Sequence, residues 1–189
     1  MPLDALDNPL VLPLLGLLVE HSGHPYELTQ RLADRYRHLD VRRSSVTTLA
    51  KRLATFGLIA PGRPRRVGGR PARTVYELTE AGYAHMRSRV ARGIESAPAG
   101  STAFILAISY VAILPKREAK EVLRRRLGTL RSELVTASAG HSLPEYQMLE
   151  VDYWRRLLQC EIAWVQALVG RLVAGDIAWP GSRSRRGEA

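Results

Sequence analysis

The sequence predicts a mainly α-helical chain: an N-terminal winged helix-turn-helix with a two-stranded wing, then an all-helical C-terminal region. Three observations carry that expectation. Residues 44–56 read as a helix with one apolar and one polar face, closed by Gly57. Two short strand-like runs, 58–67 and 72–79, flank the turn residues Gly68-Gly69-Arg70-Pro71. Beyond residue 100, apolar residues recur at helical spacing through three segments, with no period-two alternation.

Asn8-Pro9 starts the first helix, which runs to about Glu20. Leu10, Leu14, Leu15, Leu17 and Leu18 make it too apolar to face water, so it is expected to be buried on two sides. Ser22-Gly23 breaks it, and Pro25 opens a second helix carrying Tyr26, Leu28, Leu32 and Tyr36. A loop over 38–43 leads to the third helix, with Ser44 as the expected N-cap. There Val46, Leu49, Ala50 and Leu53 fall at i, i+3, i+4 and i+7. Around its other side stand Ser45, Thr47, Thr48, Lys51, Arg52 and Thr55, short hydrogen-bonding groups and cations suited to base edges and phosphates. Arg42 and Arg43 precede this face, and Arg63, Arg65, Arg66, Arg70 and Arg73 stand on or near the wing tip. A helix begins at Thr79-Glu80 and ends near Glu95, and Pro98–Ser101 reads as a boundary.

In the second half, Phe104–Leu114 is apolar and Pro115 punctuates it. Residues 116–138 follow with a seam of Ala119, Leu123, Leu127, Leu130, Leu134 and Ala137. Their other face carries Arg124, Arg125 and Arg131, with Glu121 placed to pair with Arg125 at i+4. After a turn framed by Gly140 and Pro144, a last helix reaches about Ala174 with two apolar tracks. One holds Tyr146, Leu149, Tyr153, Leu157, Trp164 and Leu168; the other holds Trp154, Leu158, Ile162, Val165 and Val169. One track packs on its own chain and the other needs a partner, most cheaply a second copy. Leu149, Leu157, Leu158, Ile162, Val165 and Leu168 are therefore expected to hold a homodimer. The expected organisation is a DNA-binding domain over 1–97, a helical domain over 98–178 and a disordered basic tail over 179–189.

Charge placement narrows the function. The formal net charge is +10. Residues 31–73 hold twelve Lys or Arg against two acids, whereas residues 1–30 hold four acids and no Lys or Arg. Cation density thus concentrates where a duplex would be gripped. Cys160 is the only cysteine, which excludes an internal disulfide, and its apolar surroundings suggest a buried structural thiol. The five histidines show no metal-ligand spacing, and no cofactor is expected. No Ser/His/Asp set, phosphate loop or HExxH motif supports catalysis, and the acids of the helical half are spaced as solvent-face partners of arginine. The N-terminus lacks a signal-peptide pattern, and 104–114 is too short to span a bilayer, so a cytoplasmic protein without a membrane is expected. Tyr110, Tyr146, Tyr153, Trp154 and Trp164 are aromatic candidates for binding a small, planar, hydrophobic effector, while Trp179 reads as part of the loose tail.

Three stretches, LLGLLVEHSGHPYELTQRL, SSVTTLAKRLATFGLI and GGRPARTVYELTEAG, resemble the PadR family of transcriptional regulators. The family pattern runs roughly LLGLL…HGYEL, GSLYPALKRLEEEGLI, GGRPRKYYRLTEAG, and the match covers residues 10–97 in order. The helical half is similar to the dimerisation region of the longer members by length and hydrophobic layout. The resemblance implies dimeric repressors that bind inverted-repeat operators in double-stranded DNA and are relieved by a ligand. Thr47-Thr48 stands where the family carries Tyr-Pro, which removes an aromatic from the reading helix, and Pro25 replaces a glycine at a helix start. The rival reading keeps the winged fold as a protein-interaction module that has lost sequence-specific DNA binding. The arginine-rich wing argues against it, because a protein-binding surface would carry apolar anchors.

Overall fold

The computed structural model describes residues 5–36, 39, 41–62, 74–138 and 144–180. The chain divides into two compact units, Met1–Arg89 and Val90–Ala189. The division falls inside a continuous helix, whereas the boundary expected from sequence falls after it, at the proline and glycine that a sequence makes visible.

In the first unit, α1 (Val11–Glu20), α2 (Pro25–Arg35) and α3 (Arg43–Thr55) precede the antiparallel strands β1 (Ile59–Pro61) and β2 (Tyr76–Leu78), and α4 (Glu80–Ser96) follows. Every residue of α1 from Val11 to Leu18 is buried, as its composition requires. It packs on α2 and β2, and α2 packs on α3; Leu28 and Leu32 of α2 and Val46, Leu49, Ala50 and Leu53 of α3 are buried with it in the core. Glu20 closes the end of α1 onto α2 by pairing with Arg31 at 2.9 Å and with Arg35. Burial alone would raise the Glu20 carboxyl, but the hydrogen bonds and charges of the two arginines outweigh it and hold the group below its ordinary value.

Helix α3 ends in a complete Schellman motif. Gly57 lies at φ +70°, Leu58 N–H donates to Leu53 O and Gly57 N–H donates to Ala54 O, both at 2.9 Å. The chain is thereby turned into β1 at once. Strand β2 pairs on its other edge with Gly23, whose N–H and C=O both bond Tyr76. The helix-breaking Ser22-Gly23 pair thus supplies a one-residue third strand that sequence alone did not indicate. Thr79 caps α4, accepting from Gly82 N–H at 3.0 Å and donating through its hydroxyl to the carbonyls of Gly57 and Leu58.

The second unit holds the end of α4, α5 (Thr102–Ser109), α6 (Lys116–Ser138) and α7 (Leu149–Ala174). Ser101 caps α5, which gives way at Tyr110 to a 3-10 turn before Pro115 instead of running on to Leu114. Helices α6 and α7 run antiparallel, and Leu130 and Leu158 pack with Ala99 in a small core flanked by Leu134, Trp154 and Ile162. Several expectations fail here. Arg125 pairs with Glu95 rather than Glu121, and Glu121 pairs with Arg117. Cys160 is exposed, on the outer side of α7, so it is no structural thiol. Trp179 is buried and donates to Leu114 O at 2.9 Å, pinning the stretch after Gly175 instead of belonging to a loose tail.

The acids of this unit are not all solvent-facing either. Arg126 and Glu161 are 1% and 8% exposed and bond through two guanidinium nitrogens at 2.6 and 2.9 Å. Arg126 also donates to Ala97 O and stacks on Phe104, 4.8 Å from the ring centre. Glu161 takes a further hydrogen bond from Gly100 N–H at 2.8 Å. The pair therefore fastens the segment between α4 and α5 to both long helices, with nearly all its polar atoms satisfied.

Candidate nucleic-acid interface

The structure makes α3 a two-faced rod. Val46, Ala50 and Leu53 are fully buried and Leu49 nearly so. Arg42, Arg43, Ser44, Ser45, Thr48, Lys51 and Arg52 are exposed, and Thr47 is half-buried at the seam between the faces. Burial of the apolar side fixes the rotation of the helix about its axis, so its polar side is presented in one orientation. The N-cap is Arg42, two residues before the expected Ser44. An arginine side chain accepts no hydrogen bond, so Ser44 and Ser45 sit in the first turn with hydroxyls at the surface. Arg43 lies over the ring of Tyr26, 5.3 Å from its centre, and Gln30 bonds the Tyr26 hydroxyl at 3.1 Å. That stacking ties the start of α3 to α2 and restrains a long cationic side chain that would otherwise roam.

Ser44, Ser45, Thr48, Leu49 and Arg52 line a concavity of about 330 Å³ whose remaining wall is Asn8. Among the described residues no carboxylate lines it. Strand β1 follows the end of α3 directly and pairs with β2. Arg63, Arg65, Arg66, Arg70 and Arg73 lie outside the described residues.

In the second unit, the five aromatics considered for an effector are not gathered. Tyr110 is buried, Tyr146 and Tyr153 are 71% and 68% exposed, and Trp164 meets Phe104 edge-on at 6.3 Å. Trp154 alone of the five lines a cleft of about 720 Å³, together with Ser132, Glu133, Ala137, Glu150 and Val151. Of the residues expected to hold a dimer, Leu158 and Val165 are fully buried in the unit's own core and so are closed to a partner. Leu149 and its neighbour Tyr153 are exposed, and Leu157, Ile162 and Leu168 are half-buried. Among the described residues no group of three or more His, Cys, Asp or Glu is placed to hold a metal. Helix α7 is long and apolar enough to cross a membrane by length and composition. It carries Asp152, Arg155, Arg156 and Glu161, however, and Leu158, Val165 and Leu172 bury one stripe of it in the unit.

Residues 14–88 match the family model described as the transcriptional regulator PadR-like family. The N-terminal unit is a winged helix that is similar to that family over those residues. Among solved structures, Bacillus subtilis PadR in complex with operator DNA is 18% identical over 86% of this chain and 98% of that chain, with a TM-score of 0.43. The same protein in complex with p-coumaric acid is 17% identical over 88% and 99%, with a TM-score of 0.40. Smu.1604c from Streptococcus mutans UA159 is 15% identical over 85% and 98%, with a TM-score of 0.41. Likenesses of this size assign no ligand and no assembly to the present chain. No curated protein matches it.

The PadR-like motifs acquire physical reasons in this unit. The GLI stretch after α3 is the Schellman turn, and the LTEAG stretch is the Thr79 cap with Gly82 packed on the Leu58 carbonyl. Sequence reading missed Asn8, Tyr26 and Arg126 as functional neighbours, each because its role depends on a partner far along the chain. The Asn8-Pro9 pair had signalled a helix start, which was the available clue to Asn8.

Proposed function

We propose that the chain is a sequence-specific DNA-binding transcriptional regulator, a repressor that binds an inverted-repeat operator as a homodimer and leaves it when a small molecule binds. One observation carries the reading: the polar face of α3, bearing Ser44, Ser45, Thr48, Lys51 and Arg52, is exposed while its opposite face is locked in the core. An α-helix with its side chains is about 10–12 Å across, and the major groove of B-form DNA is about 12 Å wide. The exposed side chains of α3 then meet base edges and phosphates, with Arg42 and Lys51 on phosphates. The wing arginines add contacts to phosphate or to a narrow minor groove.

The dimer reading rests on α7, whose outer track leaves Leu149, Tyr153 and Trp164 63%, 68% and 48% exposed. A symmetric mate covers such a face at no cost in new sequence, and it sets two reading helices about 34–36 Å apart. The effector reading rests on the Trp154 cleft, whose volume falls within the usual range of small-molecule sites. A ligand there releases DNA only if it favours a dimer geometry with the wrong helix spacing.

Selection of bound fragments from genomic DNA tests the reading. A palindromic motif with half-sites one helical turn apart is expected, and its affinity should fall steeply with salt. Recovery of no enriched motif would remove sequence-specific binding and leave a winged-helix interaction module.

A further inference from the structure

The segment ahead of α1 is held with more care than an ordinary chain terminus. Its 3-10 turn, Ala5–Asp7, packs against α3. The Arg89 guanidinium donates to the Leu6 carbonyl from α4. Asn8 is fastened twice: its carbonyl accepts from Val11 N–H at 3.0 Å, and its side-chain Oδ1 accepts from Leu10 N–H at 2.8 Å. A backbone N–H can bond only the oxygen of the amide, so the side chain has one orientation. Its two Nδ2 hydrogens have no partner among the described residues, and Asn8 stands in the wall of the concavity shared with Ser44, Ser45, Thr48 and Arg52. Donors from two separate elements thus converge on one hollow that no carboxylate lines among the described residues.

We infer that Asn8, with Ser44, Ser45, Thr48 and Arg52, forms a pocket for one phosphate of the DNA backbone at the edge of the reading helix. The inference rests on the DNA-binding reading above and adds to it a contact from outside both α3 and the wing. The chemistry fits an anion bearing several acceptor oxygens: hydroxyl and amide donors surround the hollow, and Arg52 supplies the charge. A phosphate held between the N-terminal segment and α3 fixes how deep the helix sits and how it is angled along the groove. Base contacts cannot do this alone. Asn8 is neutral, and that sets it apart from every arginine in the interface: removing it weakens binding without releasing or retaining a counterion.

The test uses the full chain and the DNA recovered by genomic selection. Asn8→Asp keeps an oxygen for Leu10 N–H, so the fold is retained, but it replaces the donors with a repelling charge. Asn8→Ala removes both. Each variant should bind about tenfold more weakly, the loss of one charge-assisted hydrogen bond. Asn8→Ala should lose similar factors on specific and random duplexes and keep the wild-type salt slope. A neutral methylphosphonate walked along the site should weaken wild type most at one phosphate per half-site and weaken Asn8→Ala less there. If both variants bind like wild type, or the methylphosphonate profiles of wild type and Asn8→Ala coincide, the pocket is refuted and Asn8 only caps α1. If wild type itself enriches no DNA, the DNA-binding reading fails and takes the pocket with it.

Discussion

Gly82→Ala should unfold the PadR-like unit far more easily, although it puts a better helix former into a helix. A Cβ at Gly82 would lie 1.9 Å from the Leu58 carbonyl oxygen, 2.9 Å from its carbon and 2.8 Å from Leu78 Cδ1. Two of those atoms are backbone, so no side-chain rotation relieves the overlap. The same carbonyl accepts from Thr79 N–H at 3.2 Å and from the Thr79 hydroxyl at 3.0 Å, and that hydroxyl oxygen caps Gly82 N–H. Moving α4 away therefore breaks its own cap. Overpacking costs about 1–3 kcal/mol and a lost cap about 1 kcal/mol. Against these, replacing glycine in a helix returns at most about 1 kcal/mol. The net loss is about 1–3 kcal/mol, which for a unit of this size lowers Tm by roughly 4–24 °C. Gly128→Ala is the control. Gly128 sits exposed in α6 and a Cβ there meets nothing within 4 Å, so the same change should stabilise by about 0.5–1 kcal/mol. Urea unfolding followed by far-UV circular dichroism compares the two. Should Gly82→Ala match or exceed wild-type stability, the close approach of α4 to Leu58 is not what fixes this junction.

Further outcomes are expected from other substitutions. Glu161→Gln leaves the buried Arg126 charge unpaired and should cost about 3–5 kcal/mol in denaturant unfolding; a loss below about 1 kcal/mol would mean water compensates the arginine. The depressed Glu20 carboxyl contributes stability above its unfolded value and loses it as pH falls through the lower folded one. Glu20→Gln should therefore flatten the acid limb of a stability–pH curve below about pH 4.5 and leave its shape at neutral pH unchanged, an effect kept small by the exposure of the pair. Tyr153→Glu should yield a folded monomer by sedimentation, whereas Leu158→Glu should unfold the helical unit; a wild-type monomer at micromolar concentration would refute the dimer. Arg52→Ala should weaken binding to the selected site and to random DNA alike, because it removes a phosphate contact. Arg66→Ala should weaken both and reduce the salt slope by about 0.9, so an unchanged slope would remove the wing from the interface.

What the sequence made legible follows from how locally each feature is determined. The limits of α2 and α6 could be read because Pro25 and Pro115 mark their starts and a continuous seam runs through each. The two faces of α3 were legible for the same reason, and so were the turn at Gly57 and the wing strands after it. The first turn of α3 was placed two residues late because Ser44 is the better cap by type, while the helix starts where the chain first takes up helical angles. The third strand residue, Gly23, was invisible because pairing with Tyr76 leaves no trace in local composition. Asn8 was legible as a helix start but not as part of the site, since its neighbours in space begin at Ser44.

Helix α7 shows most sharply where pattern reading stops. Its two apolar tracks are equivalent by hydrophobicity, and nothing in their residues says which faces inward. The buried stripe is Leu158, Glu161, Val165 and Leu172, at spacings of three, four and seven. It contains an acid that a hydrophobic pattern assigns to solvent. Arg126, 35 residues away, reverses that assignment, because a guanidinium bonded to both the carboxylate and Ala97 O makes a buried glutamate affordable. With Glu161 turned in, the adjacent Cys160 is rotated by about a quarter turn into solvent. Tyr153 and Trp164 are left outside. The charge pair thus selects the inner face, and through it leaves the outer face that a partner would have to meet.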